Sequence, residues 1–422
     1  MIKELTTEKT SLPAGWELKK MSDLFDVKSS KRVHKADWKE NGVPFYRARE
    51  VVKLAEYDTV DNALFISEEL YEEFIKEKGA PKEGDIIISA VGTLGKCYLV
   101  KSSDRFYFKD ASVLWFENIS NVDTRYIEYA FKSDEIMKQV MNKSMGATVG
   151  TLTISRAKII EIPLPPLTQQ KQIVAILDKA FAAIDTAKAN AEQNLQNAKE
   201  LFESYLQNVF STKGDDWEER TLGKVTSKIG SGATPRGGKA SYKEEGISLI
   251  RSMNVHDFYF KKKNLAFIDD KQADALSNVT LQEKDVLLNI TGASIARCCM
   301  IPKEYLPARV NQHVSIIRVK KDIINPVFLA SLLTSKYFKD QILEIGEQGA
   351  TRQAITKVQL ENFYISYPKE MEEQEKVVQN INLIKAETKK LEAIYTQKIV
   401  DLEEMKKSVL QKAFSGQLNT IN

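Results

Sequence analysis

The sequence predicts an α+β protein laid out as a pseudo-two-fold tandem repeat, with two mostly β globular domains separated by two long antiparallel helices that form a coiled coil. Three observations predict it. First, the chain is written twice. Gln170-Lys171 falls on Gln374-Glu375 and Phe210-Ser211 on Phe414-Ser415, both at an offset of 204 residues. Gly15-Trp16-Glu17-Leu18 answers Asp216-Trp217-Glu218-Glu219 at an offset of 201, and Gly146-Ala147-Thr148 recurs as Gly349-Ala350-Thr351. A period this long is that of a duplicated domain-plus-helix module, not of a solenoid unit. Second, each copy ends in an apolar stripe at alternating three- and four-residue steps, the signature of a coiled-coil seam. Third, short apolar runs bounded by turn residues occupy matching places in the two globular segments.

The elements follow in order. Residues 1–167 form the first domain. Its strands include Ile86-Ile87-Ile88 after the Gly84-Asp85 turn and Val113-Leu114-Trp115-Phe116, and a helix is expected over Tyr126 to Met141. Pro163, Pro165 and Pro166 keep any helix from entering from upstream, so a long helix is expected over 168–211 with Thr168 as its N-cap. Its stripe runs Ile173, Leu177, Ala180, Ile184, Ala187, Ala191, Leu195, Ala198, Phe202, Tyr205 and Val209. Residues 212–370 form the second domain, with strands at Val286-Leu287-Leu288 and Val314 to Val319 and a helix expected over Pro326 to Leu343. The second long helix and tail occupy 371–422, its stripe running from Val377 and Ile381 through Met405 and Val409. At 1.5 Å per residue each long helix spans roughly 65 Å. So long a stripe is covered most simply if the two helices pair. There is no regular βαβ alternation, which places the chain in the α+β class.

Composition narrows the function classes. With 422 residues, 43% apolar and 28% charged, the chain is of globular type with room for two cores. It has no run of roughly 20 apolar residues, and its start, MIKELTTEKT, has no apolar signal region. A cytoplasmic protein is expected. Three cysteines without a CxxC pair and three histidines (His34, His256, His313) give neither a disulfide framework nor a zinc site. The net charge of +3 decides little, but its distribution is uneven. Residues 1–167 carry 25 Lys+Arg against 26 Asp+Glu, and residues 212–370 carry 24 against 19. Lys28, Lys31, Arg32 and Lys35 crowd one stretch, and Lys261-Lys262-Lys263 follows Phe258-Tyr259-Phe260. Such clusters are ordinary on solvated faces, and they are also what a phosphate backbone attracts.

Catalytic near-matches fail on spacing. Gly232 to Ala240 resembles a phosphate loop, but it is one residue too long and no Ser or Thr follows Lys239. Gly92-Thr-Leu-Gly95-Lys96 is too short for the same motif. Gly230-Ser-Gly232 lacks the third glycine of a dinucleotide loop. HExxH and GxSxG are absent from the sequence. No enzymatic activity is expected of this chain.

The repeated segment PLPPLTQQKQIVAILDKAFAAID resembles the spacer helix of type I restriction–modification specificity subunits. Trp16-Glu17-Leu18 and Trp217-Glu218-Glu219 fit the starts of that family's two target recognition domains. Ile229-Gly-Ser-Gly-Ala-Thr-Pro235, Gly84-Asp85-Ile86-Ile87-Ile88-Ser89 and Ala413-Phe414-Ser415-Gly416-Gln417-Leu418 fit further parts. The first domain departs at Lys28-Ser-Ser-Lys-Arg32, which stands in place of the glycine-rich stretch. The resemblance implies a non-catalytic DNA-reading subunit. Each domain would read one half of a split double-stranded DNA target through the major groove. The helices would hold the halves a fixed distance apart and dock two methyltransferase subunits, which bring S-adenosylmethionine. Restriction–translocase subunits would bring ATP and Mg chemistry, and no cofactor or metal is expected in this chain.

Base edges are read by Arg, Lys, Asn and Gln side chains, while phosphate contacts position the reader. The candidates by residue type and loop position are Lys31, Arg32, Arg47, Arg49 and Lys96 in the first domain. In the second they are Arg236, Lys239, Arg251, Asn254, Gln348, Arg352 and Gln353. The two half-sites are expected to differ, because the first domain's counterpart of 348–353 carries no charge over Met145 to Gly150. The competing reading is a coiled-coil scaffold that joins proteins without touching DNA. DNA binding that falls steeply with salt would separate the two.

Overall fold

A computed structural model describes residues 12–61, 64–141, 150–347 and 354–418, without the side chains of 345–347. The chain forms two compact units, one of residues 1–191 with 397–422 and the other of 192–396. Each unit therefore takes half of one long helix and the opposite half of the other.

In the first unit a four-stranded antiparallel sheet has the order Phe25–Lys28, Val113–Asn118, Ile86–Ser89, Cys97–Leu99. A smaller sheet places Val43–Tyr46 between Phe65–Ile66 and Tyr107–Phe108. Glu17–Lys20 pairs antiparallel with Glu161–Leu164, so the opening strand meets the segment that feeds the long helix. The second unit repeats this plan. Its sheet runs Thr226–Ser231, Val314–Val319, Val286–Asn289, Cys298–Met300. The smaller sheet places Ile247–Ile250 between Ala266–Ile268 and Ala308–Val310, and Trp217–Thr221 pairs with Tyr364–Pro368. The copies differ after the first strand of the small sheet. The first domain inserts the helix Ala48–Tyr57 there, and the second inserts the hairpin Val255–His256 with Tyr259–Phe260. The central strands are buried on both faces, which is why they read as unbroken apolar runs instead of alternating.

The long helices span Leu167–Thr212 and Met371–Phe414. The first starts at Leu167 because the Pro166 carbonyl accepts from the amides of Gln169 and Gln170, so Thr168 is not its N-cap. Within the first unit the two helices run antiparallel. Lys406 reaches Asp185 at 2.8 Å, and Lys188, further along the first helix, meets Glu403, earlier in the second. The buried face is wider than a single seam. Phe181, Leu410, Ala413 and Phe414 join the first core, and Leu206 and Phe210 the second, because each helix packs on a β domain as well. The seam drifts as a result: Met405 is exposed, and the Lys406 ammonium lies 4.7 Å over the Phe181 ring.

Aromatic contacts lock each helix end. Phe414 packs on Tyr126 at 5.1 Å in the first unit and Phe210 on Phe328 at 5.5 Å in the second. Each buried ring is worth roughly 1.5–3 kcal/mol. Buried glutamines repeat in the same way. The Gln170 amide accepts from Asp123 N and donates to Pro165 O. The Gln374 amide accepts from Asn325 N and donates to Ile323 O and Pro368 O. Asp123 and Asn325 are themselves N-caps, so each glutamine ties a long helix to the first turn of a domain helix. The helices expected over Tyr126–Met141 and Pro326–Leu343 are each two. They break at Ser133 and Ser335, whose hydroxyls donate back to Ala130 O and Leu332 O and accept from Ile136 N and Phe338 N. A serine in both roles ends one helix and caps the next.

Candidate nucleic-acid interface

The strand register brings the candidate side chains of each domain to one edge of its sheets. In the second unit Ser231 lies opposite Ser315 and Asn289 opposite Val314, so the loops 232–237, 290–297 and 311–313 all leave from the same edge. Ile250 lies beside Val310, which adds the segment that begins at Arg251. In the first unit Lys28 pairs with Trp115, Ser89 with Val113 and Tyr46 with Phe108. The loops 29–35, 90–96 and 109–112 and the start of the helix at Ala48 therefore share one edge. Two isolated bridges, Val91 with Thr151 and Thr291 with Ala354, bring a further segment to each edge.

The first-domain candidates sit there and are each met by a carboxylate. Lys31 contacts Glu73 at 3.1 Å and Glu77 at 2.9 Å, and Arg32 lies 3.9 Å from Asp110. Lys96 pairs with Glu56 at 2.8 Å. Arg47 and Arg49 both bond Glu50, whose side chain is 2% exposed. Burial alone would raise the Glu50 pKa, but the hydrogen bonds from Arg47 and Arg49 outweigh it and hold the carboxyl below its ordinary value.

The second domain is different. The side chains of Arg236 and Lys239, in and just after loop 232–237, have no hydrogen-bond or ion-pair partner among the described residues. Arg251 donates to the Asn264 carbonyl and lies 5.3 Å from the Tyr242 ring, while its Nε is buried without a partner. Asn254 is a correction. It is fully buried, its amide donates to the carbonyls of Lys261 and Lys263, and its oxygen accepts from Arg251 N. It shapes the 251–264 loop and presents no group to a base. Gln348, Arg352 and Gln353 lie outside the described residues.

Residue-type reasoning missed three side chains. The Arg297 side chain has no hydrogen bond or ion pair among the described residues and lines an open dish of about 400 Å³ with Ser252, Met253, Thr291 and His313. It occupies the repeat position of Lys96, so the repeat itself could have found it. Gln312 and His313 stand on the loop before Val314, where no motif marks them. His256, stacked on Tyr259 at 4.8 Å, has its pKa lowered first by burial and then by the charges of Arg297 and Lys261.

One glycine is required at this edge. A Cβ on Gly232 would lie 1.8 Å from the Val310 carbonyl oxygen, and the Gly232 amide donates to Asn311 O. The loop carrying Arg236 can cross the neighbouring strand only without a side chain there.

No group of His, Cys, Asp and Glu suited to a metal ion occurs among the described residues, and the three cysteines are buried free thiols. Burial raises the Cys97, Cys298 and Cys299 thiols above their ordinary value, the opposite of an activated nucleophile. No helix among the described residues is long and apolar enough to cross a membrane.

Comparison with known proteins fits this layout. Residues 13–197 and 214–404 each match the sequence model of the type I restriction modification DNA specificity domain. A relative from Haemophilus influenzae, described as a type I restriction enzyme specificity subunit, is 29% identical over 44% of this chain, a match that spans 45% of that relative's length. The EcoKI specificity subunit of Escherichia coli K12 is 21% identical over 96% of this chain and 90% of its own. A solved chain from a type I R-M system superposes with a TM-score of 0.74, covering 97% of this chain and 100% of that one at 18% identity, which shows a shared fold.

Proposed function

Because the chain belongs to the type I restriction modification DNA specificity family, as a non-catalytic specificity subunit with DNA recognition domains, we propose that its two domains read the two halves of a split DNA target. The observation that supports this best is the convergence, in duplicate, of basic and polar loop residues on one edge of each domain. In this reading the loops 29–35, 90–96 and 109–112 face one half-site. The loops 232–241, 251–264, 290–297 and 311–313 face the other.

The cationic side chains set affinity and register through phosphates, and polar side chains with fixed geometry read base edges. The two domains divide these tasks unequally. Each first-domain candidate must exchange a carboxylate for a phosphate, which offsets much of the gain. Arg236, Lys239 and Arg297 have no such pair to break. The long helices act as the spacer between half-sites and, with the domain faces beside them, dock two methyltransferase subunits and the restriction–translocase subunits. S-adenosylmethionine, ATP and Mg belong to those partners.

The test is methylome sequencing of a host expressing this chain with its methyltransferase, beside a host lacking the chain. A new two-part motif, methylated in both halves, is the expected result. A soluble complex that writes no new motif would overturn the reading.

A further inference from the structure

Gln312 is an exposed glutamine whose side-chain amide is held at both ends. The Thr234 hydroxyl donates to its Oε1, and its Nε2 lies 3.1 Å from His313 Nε2. His313 is fixed in turn. Its Nδ1 lies 2.5 Å from Thr291 Oγ1, and its backbone amide donates to Asn311 Oδ1 at 3.1 Å. The network joins the ends of three loops that leave the sheet at one edge. An exposed glutamine that serves only solvation has no need of such support, and its free amide would sample many rotamers.

The hydrogen-bond inventory identifies what the held amide can bind. A glutamine amide has two N–H donors and an oxygen with two acceptor sites. With Nδ1–H directed at Thr291, the His313 Nε2 accepts, which takes one N–H of Gln312. Thr234 takes one acceptor site on the oxygen. One donor and one acceptor remain on an exposed amide. In the major groove that pair matches adenine, which offers the N7 acceptor and the N6 donor. Guanine offers two acceptors there and would leave the amide oxygen facing another acceptor.

We propose that Gln312 is a specificity-determining residue that reads an adenine in the half-site of the second domain, and that His313 and Thr234 are positioning residues that fix its amide orientation. This rests on the DNA-reading assignment above. Preorganisation of this kind converts a flexible polar side chain into a directional reader, because ordering is complete before DNA arrives.

The experiment is selection from a randomised duplex library by the full-length chain in complex with its methyltransferase subunits. The wild type is expected to select adenine at one position of one half-site. Gln312→Ala should lower discrimination at that position by roughly 5- to 150-fold and leave the other positions unchanged. Gln312→Glu, with two acceptors, should move the preference toward cytosine, whose N4 amine is a donor. His313→Ala should weaken the adenine preference alone, where a merely structural role would lower selection at every position. If the wild type selects a two-part target and Gln312→Ala keeps the same base profile or loses all positions equally, the glutamine assignment is overturned while the DNA-reading assignment stands. A wild-type complex that selects no sequence would overturn both.

Discussion

Replacing Gln374 by leucine keeps the side-chain volume and removes the amide, so it isolates what the buried glutamine does at the start of the second long helix. Gln374 is 0% exposed and makes three hydrogen bonds: from Asn325 N at 2.7 Å, to Ile323 O at 3.0 Å and to Pro368 O at 2.9 Å. A typical buried hydrogen bond contributes about 1 kcal/mol net, and a group left buried without a partner costs about 1–3 kcal/mol. Gln374→Leu should therefore destabilise the second unit by about 3–6 kcal/mol. Among the described residues the Gln170 side chain makes two such bonds, from Asp123 N and to Pro165 O, so Gln170→Leu should cost the first unit about 2–4 kcal/mol. Urea denaturation of the full chain gives the magnitudes, since Trp217 reports on the second unit and Trp16, Trp38 and Trp115 on the first. Hydrogen exchange gives the location: the Asn325 amide should lose protection in one variant and the Asp123 amide in the other. A Gln374→Leu loss below about 0.5 kcal/mol, or one confined to the first unit, would refute the view that these glutamines anchor the helices.

Further predictions concern charge, loop geometry and spacing. Glu50 has its folded pKa held below the unfolded value of about 4.3, so its contribution is fully present above that value and is lost as pH falls through the folded one. Glu50→Gln should cost about 2 kcal/mol at neutral pH, and thermal melts should show the gap closing as pH drops below about 4; a gap independent of pH would refute the ion-pair account. Gly232→Ala should push the Arg236 loop off Val310, costing about 1–3 kcal/mol and weakening DNA binding in a titration at fixed salt; unchanged binding would place that loop away from DNA. Arg297→Ala should lower the slope of log affinity against log salt by about 0.9 if Arg297 meets a phosphate, and a slope change equal to that of the carboxylate-paired Lys96→Ala would remove the distinction between the two domains. A four-residue insertion near Asn190, matched by one in the second long helix, adds roughly 6 Å and should shift the preferred gap by about two base pairs at about 3.4 Å each; methylome sequencing reads the gap directly.

The frame of this protein is legible in its sequence because the frame is what repeats. The glutamines aligned at 170 and 374 prove to be buried anchors with the same job, and Phe210 and Phe414 fill equivalent aromatic contacts. Central strands were visible as apolar runs because both faces are covered. The breaks at Ser133 and Ser335 were not visible, since a serine inside an amphipathic pattern ends a helix only when its hydroxyl finds the carbonyl behind it and the amide ahead.

The candidate site was legible by loop and not by residue. Choosing Arg, Lys, Asn and Gln near turns picked out residues that the fold gathers at one edge of each sheet, because strand order delivers those turns together. It could not show that Glu73 and Glu77 hold Lys31 from 42 and 46 residues away, or that Asn254 is spent on its own loop. Nor could it find Gln312, whose amide meets Thr234 of another loop and its neighbour His313, itself bonded to Thr291 of a third.

These two observations fit together physically. The anchors that tie helix to domain lie in the cores, at residues such as Gln170, Gln374, Tyr126 and Phe328. The side chains assigned to DNA lie on the loops instead: Lys31, Arg32 and Lys96 are met by carboxylates and Gln312 by hydrogen bonds, while the side chains of Arg236, Lys239 and Arg297 have no partner among the described residues. Substitutions at Gln312 or Arg297 therefore alter what the edge presents while leaving the packing of either unit in place. A scaffold divided in this way can change the sequence it reads one contact at a time, and the unpaired cations of the second domain make that half the easier one to change.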